Sequence, residues 1–132
     1  MSQATFQIEC DRLSQAVDGV QYERMRWSKF EGPILARLVD LAHGAIAERS
    51  EFELTADGAT SDLKRFVLKV HSNRMVGLML WLDQGKAMAQ IEEIARGRYA
   101  VTPGEPVSAE YASTDEAWMA AALQTLFGRI CF

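Results

Sequence analysis

An uninterrupted apolar run at residues 75–82, Met-Val-Gly-Leu-Met-Leu-Trp-Leu, constrains the fold more than any other part of this sequence. Successive side chains of a β-strand point to opposite faces of its sheet, so this run is apolar on both faces. An antiparallel strand with one face in water normally alternates apolar and polar residues. The run therefore predicts a central strand that is covered on both faces.

One face of this strand carries valine and leucine side chains, and the other carries Met75, Gly77, Met79 and Trp81. Methionine adapts to varied partners, and tryptophan combines a large apolar area with one N–H donor. Two interpretations remain open for this second face. One of the chain's own helices covers it, which is a common layered arrangement, or it forms a groove for a ligand, a peptide or a second subunit.

The surrounding sequence predicts an antiparallel β-meander. Polar turn residues at 71–74 and 83–86 flank the apolar run, and the hydrophobic period is two from residue 51 onward. Residues 99–101 and 107–111 are expected to add one or two edge strands, because prolines separate them and proline is tolerated at sheet edges.

Helices are predicted before and after this meander. Residues 33–49 have the spacing of an amphipathic helix, and residues 1–27 favour a helix ending near Gly19, although a short strand also fits there. Ser113 and Glu116 have the spacing of a capping box, which predicts a last helix that extends as far as Ile130. The expected fold is a single α+β domain, with an N-terminal helix or helices, about four or five strands, and a C-terminal helix packed on the sheet.

The last helix carries no charged residue between positions 117 and 128. A helix with one side in water normally has charges on that side. Homodimerisation through this helix follows as a hypothesis. Its expected interface residues are Trp118, Leu123, Leu126 and Phe127.

Composition and charge narrow the classes of function. The formal net charge is −4, and no segment is rich enough in lysine and arginine to predict nucleic-acid binding. Cys10 and Cys131 lie far apart and match no disulfide framework or redox motif. The N-terminus lacks the pattern of a secretory signal peptide, and no segment is apolar for long enough to span a membrane. A cytoplasmic location is therefore expected.

No residue pattern predicts catalysis, a metal site or a cofactor. His43 and His71, the only histidines, lack the spacing of a known metal site. His71 is expected in a turn beside Arg74, and His43 on the solvent side of its helix. No phosphate-binding or dinucleotide-binding loop is present either.

The favoured interpretation is a non-catalytic protein-binding or adaptor domain that acts as a homodimer. In size, acidity and α+β order the chain is similar to the small acidic secretion chaperones of bacteria, a resemblance of general organisation that involves no shared motif. The alternative is a small-molecule-binding domain or small enzyme with an apolar pocket between sheet and helix. Its candidate polar groups belong to His71, Arg65 and Trp81.

Overall fold

The computed structural model describes residues 3–58 and 63–132. These residues form two compact units, with the boundary between Pro33 and Ile34. The predicted fold class is confirmed, since helices come first, an antiparallel sheet of five strands follows, and a helix lies near the C-terminus.

The first unit is helical. It contains α1 (Gln3–Val17), α2 (Gly19–Arg26) and a π-helical turn at Trp27–Glu31. The carboxylate of Asp18 accepts a hydrogen bond from the backbone N–H of Gln21 at 3.1 Å. Asp18 has extended backbone angles and so caps the start of α2. None of the described side chains in these helices is buried.

The second unit begins with most of α3 (Gly32–Ile46), which corresponds to the helix predicted at 33–49. Its buried residues recur every three or four positions, as an amphipathic helix requires. They are Leu35, Leu38, Ala42 and Ile46. His43 is exposed, as expected, and its ring meets the edge of Phe66 with centroids 5.5 Å apart.

The five-stranded sheet has the order β1-β2-β3-β4-β6, and every neighbouring pair is antiparallel. The apolar run lies in β3, which is the central strand, as predicted. A two-residue strand, β5, belongs to a separate ribbon. The strands are β1 (Phe52–Ala56), β2 (Leu63–Val70), β3 (Asn73–Asp83), β4 (Lys86–Glu92), β5 (Ala100–Val101) and β6 (Val107–Glu110).

Two-residue turns join β2 to β3 and β3 to β4, at the positions that the sequence predicts. His71 and Ser72 have φ of 50° and 66°, and Gln84 and Gly85 have φ of 48° and 79°. Positive φ at both central residues is the geometry of a type I′ hairpin turn, whose twist matches that of paired strands. The second turn fixes the register of β3 with β4, whereas the register of β2 with β3 shifts by one residue after Leu68.

One face of the sheet, called the inner face here, forms the core with α3 and α4 (Glu116–Phe127). Leu38 and Leu126, from the two helices, are both 0% exposed. Phe127 stacks on Phe52 of β1 with centroids 6.3 Å apart. The buried residues of the inner face are Leu54, Phe66, Leu68, Val76, Leu78, Leu80, Ala87, Ala89 and Ile91.

The capping box predicted for α4 is wrong in detail. Asp115 is the N-cap, and its carboxylate accepts a hydrogen bond from the backbone N–H of Trp118 at 2.8 Å. Ser113 instead ends a 3₁₀ turn that spans Tyr111–Ser113. Ser113 therefore lies two residues before the N-cap position, too far from the first turn of α4 to cap it. Asp115 has the extended backbone that an N-cap requires.

The prediction that the last helix extends to Ile130 is also wrong. The helix ends at Phe127, and Gly128 follows as its C-cap. The chain then forms β7 (Ile130–Cys131), which pairs antiparallel with β5. Of the two expected edge strands, β6 therefore joins the main sheet and β5 does not.

Across residues 3–58 and 63–132, every helix is too short or too polar to cross a membrane.

Candidate functional site

The opposite side of the sheet, called the outer face here, carries an apolar row across three adjacent strands. The register places Leu63 of β2 beside Trp81 of β3, and Trp81 beside Met88 of β4. Met79 lies two positions from Trp81 on the same face. We call these four residues, Leu63, Met79, Trp81 and Met88, the outer patch.

All four side chains of the outer patch are only partly buried. Leu63, Met79 and Trp81, with Leu82, line an open cleft of about 350 Å³. The indole N–H of Trp81 has no hydrogen-bond partner among the described residues. Trp81 therefore presents both an apolar ring and an unused donor to this cleft, although it lies on the central strand.

A polar pair borders the outer patch along the strands. Arg65 lies opposite Met79, and one of its terminal nitrogens is 3.8 Å from the Met79 sulfur and 3.8 Å from a carboxylate oxygen of Glu92. Glu92 lies beside Gly77, where an added Cβ would be 3.0 Å from the Glu92 Cγ. The absence of a side chain at Gly77 thus lets Glu92 extend toward Arg65 across β3.

Gln90 forms a second polar boundary, on β4. Its side-chain N–H donates to the carbonyl of Gly104 at 2.9 Å, and its side-chain oxygen accepts from Arg129 at 3.0 Å. These bonds hold the loop before β6 and the residue before β7 against this part of the sheet. An apolar centre with a polar rim is the usual composition of a protein-binding surface.

The structure brings together three of the five residues predicted for binding. Arg65, Met79 and Trp81 are neighbours on the outer face. Met75 is 8% exposed and is the extra residue of a β-bulge, because the register shifts after Leu68. His71 is exposed in the turn before β3. It lies roughly 30 Å from Trp81 along the strand, since each residue adds about 3.3 Å.

The four residues predicted for an interface on α4 divide between its two sides. Leu123 and Leu126 are 3% and 0% exposed, so the protein's own core occupies them. Trp118 and Phe127 are half-buried. Only these last two have side-chain surface that another chain can reach.

After Glu116 in its first turn, the side of α4 that faces solvent carries no charge and consists mostly of small residues. Ala117, Ala120, Ala121, Gln124 and Thr125 are all exposed. Ala120 also lines a groove of about 300 Å³ between α4 and α3. The charge-free pattern in the sequence therefore corresponds to an exposed helix surface beside a groove.

Within the described part of the chain, no three histidine, cysteine, aspartate or glutamate side chains are grouped to hold a metal ion. Cys131 is an exposed free thiol, 3.3 Å from the Thr102 hydroxyl. A backbone hydrogen bond at Glu51, aided by the Arg49 guanidinium at 2.6 Å, holds the pKa of Glu51 below its ordinary value.

Sequence reasoning missed two members of the outer patch, Leu63 and Met88. Each lies beside Trp81 only because of the strand register. The turn at 83–86 carried the signal for Met88, since a two-residue hairpin turn fixes which residues of β3 and β4 face one another. Leu63 faces Trp81 because the β-bulge at Met75 shifts the β2–β3 register by one residue, which the turn at 71–74 does not specify.

Comparisons with protein families, with characterised proteins and with solved structures found no match.

Proposed function

We propose that this chain is a non-catalytic protein-binding domain, of the adaptor or chaperone kind, which acts as a homodimer. One observation carries the proposal. The apolar row Leu63–Trp81–Met88 crosses three adjacent strands on the side of the sheet opposite the core, and its side chains are only partly buried.

The chemistry of the outer patch suits apolar side chains of a partner. Tryptophan is among the residues whose removal most weakens protein interfaces, and methionine adjusts its shape to different partners. The unpartnered indole N–H of Trp81 can donate to a partner's backbone carbonyl, which adds direction to an apolar contact. Arg65 and Glu92 at the rim supply charges that remain in water.

A displayed library of random linear peptides tests this binding role. Peptides selected on the immobilised protein should carry apolar or aromatic anchors. We expect Trp81→Ala to weaken a selected peptide roughly 30-fold, since a central anchor contributes about 2 kcal/mol. Met79→Ser should weaken it less.

The matched control is Glu53→Gln, an exposed position on the edge strand β1. It should leave peptide affinity within a factor of about two, because isolated surface charges contribute little. Peptides that bind the Trp81→Ala variant as tightly as the original protein would refute the outer patch as the binding surface.

The homodimer part of the proposal rests on the uncharged exposed side of α4. Small side chains there allow another helix to approach closely, and a two-fold dimer needs one patch that complements itself. The interface would consist of Ala117, Ala120, Ala121 and Gln124, flanked by Trp118. This differs from an interface through Leu123 or Leu126, whose side chains are buried.

Sedimentation of the protein and of an Ala121→Arg variant tests the dimer. We expect a dimer for the original chain and a folded monomer for the variant, because two arginines would meet across the two-fold axis. The control Glu53→Arg adds an arginine on the edge strand β1 and should stay dimeric. A monomer for the original chain, or a dimer that Ala121→Arg leaves intact, would refute this interface.

A small apolar ligand is the second candidate, favoured by the cleft of about 350 Å³ beside Trp81. That volume lies at the small end of known ligand pockets. Native mass spectrometry of the purified protein distinguishes the two candidates. A bound small molecule that Trp81→Ala abolishes would favour the ligand, whereas peptide binding with no retained molecule favours the protein partner.

A further inference from the structure

Three arginines of this acidic chain converge on a single cleft. Arg74 is the second residue of β3, and Arg96 and Arg98 follow the end of β4. All three line a cavity of about 310 Å³, and its nine lining residues include no aspartate or glutamate. We call this cavity the arginine cleft.

The antiparallel sheet brings the arginines together. Gly77 pairs with Glu92, so the register, continued three residues further, sets Arg74 beside the segment that contains Arg96 and Arg98. Gly97 closes a turn there by donating its N–H to the carbonyl of Ile94 at 3.0 Å. An added Cβ at Gly97 would be 2.7 Å from an Ile94 side-chain carbon, so this turn requires glycine.

The three guanidinium groups are not neutralised within the protein. Some of the other exposed arginines form ion pairs, as Arg12 does with Glu9 and Arg49 with Glu51. Arg74, Arg96 and Arg98 make no ion pair or side-chain hydrogen bond with any described residue. Like charges held together without a partner repel one another, and a bound anion relieves this repulsion.

The backbone at Arg96 does not explain why arginine occupies this position. Arg96 has φ of 61°, in the left-handed region that favours glycine or asparagine. A branched or long side chain is disfavoured there. Backbone preference therefore does not account for arginine at this position, where the residue lines the arginine cleft.

We propose that the arginine cleft binds the phosphate group of a small molecule. A guanidinium group donates two parallel hydrogen bonds to phosphate oxygens, and phosphate has enough oxygens for several arginines. The Ser72 side chain lines the same cavity and adds a hydroxyl donor. The half-buried ring of Tyr99 also lines the cavity and offers a surface for an organic group attached to the phosphate.

Titration of the ¹⁵N-labelled protein with inorganic phosphate and with phenyl phosphate tests this site. We expect amide shifts confined to residues 72–74 and 94–99 for both probes. Tighter binding of phenyl phosphate would identify an organic phosphate as the ligand, and equal binding would identify inorganic phosphate. Shifts spread over the whole surface, or none, would overturn the proposal.

Arg96→Gln and Arg98→Gln should each weaken phosphate binding roughly tenfold, because each removes charged hydrogen bonds to the anion. The matched control is Lys86→Gln, which removes the same charge at the far end of the β3–β4 hairpin. It should leave the affinity unchanged. Equal weakening by Lys86→Gln would mean that net charge alone attracts the anion, and would overturn the site.

Trp81→Ala provides a second control. It should leave phosphate binding unchanged, because Trp81 lies far along β3 from Arg74. Phosphate binding at the arginine cleft is therefore tested independently of partner binding at the outer patch.

Discussion

Replacing Leu126 with alanine measures how far α4 serves the protein's own core. Leu126 is 0% exposed, and the substitution removes three carbon atoms from that position. At about 0.8 kcal/mol for each buried carbon, the transfer loss is roughly 2.4 kcal/mol. The unfilled cavity adds to this, so the expected loss in free energy of unfolding is about 3–4 kcal/mol, within the usual range for buried leucine.

Urea denaturation followed by circular dichroism provides the assay. With a typical slope of about 2 kcal/mol per molar urea, the midpoint of Leu126→Ala should fall by roughly 1.5–2 M. The control Glu53→Gln, at an exposed position of the edge strand β1, should change stability by less than about 0.5 kcal/mol. Equal midpoints for the two variants would refute the assignment of Leu126 to the core.

Three further predictions concern local structure. Asp115→Ala removes the cap on the Trp118 backbone N–H, and should lower the unfolding free energy by about 1 kcal/mol in the same urea assay. Gly85→Ala forces a Cβ onto a φ of 79°, and should cost about 1 kcal/mol. The Glu51 carboxyl should titrate below its ordinary pKa by NMR, and Arg49→Ala should raise that pKa. Because the folded-state pKa is lowered, ionised Glu51 stabilises the fold above the unfolded-state pKa, and this stabilisation disappears as the pH falls through the folded-state value.

The order of helices and strands followed from the sequence because its hydrophobic periods are clear. The apolar run at residues 75–82 specified a central strand, and β3 is central in the sheet. The turns at 71–74 and 83–86 were recognisable because polar residues and Gly85 interrupt the apolar strands there. Where the pattern was strong, local preference and tertiary packing agreed.

The last helix shows where local patterns mislead. Ser113 and Glu116 have the spacing of a capping box. In the structure Ser113 belongs to the preceding 3₁₀ turn, and the N-cap of the helix is Asp115. Ile130 continues the helical spacing of the apolar residues. Ile130 nevertheless adopts a strand conformation, because β7 pairs with β5. Such a long-range pairing leaves no signal in a short window of sequence.

The candidate sites were only partly visible before the register was known. Met79 and Trp81 stood out because they share one face of a continuous apolar run. Leu63 joins them only through pairing of β2 with β3. The arginine cleft was not predicted at all, because Arg74 and Arg96 are far apart in sequence and meet only through the β3–β4 ladder.

Fluorescence quenching of Trp81 tests the central claim most directly. A variant with Trp27→Phe and Trp118→Phe retains Trp81 as the single tryptophan. Acrylamide should quench this tryptophan in the free protein, since Trp81 borders an open cleft, and a saturating selected peptide should reduce the quenching severalfold. Undiminished quenching with the peptide bound would contradict the account, because the partner would then bind away from the outer patch.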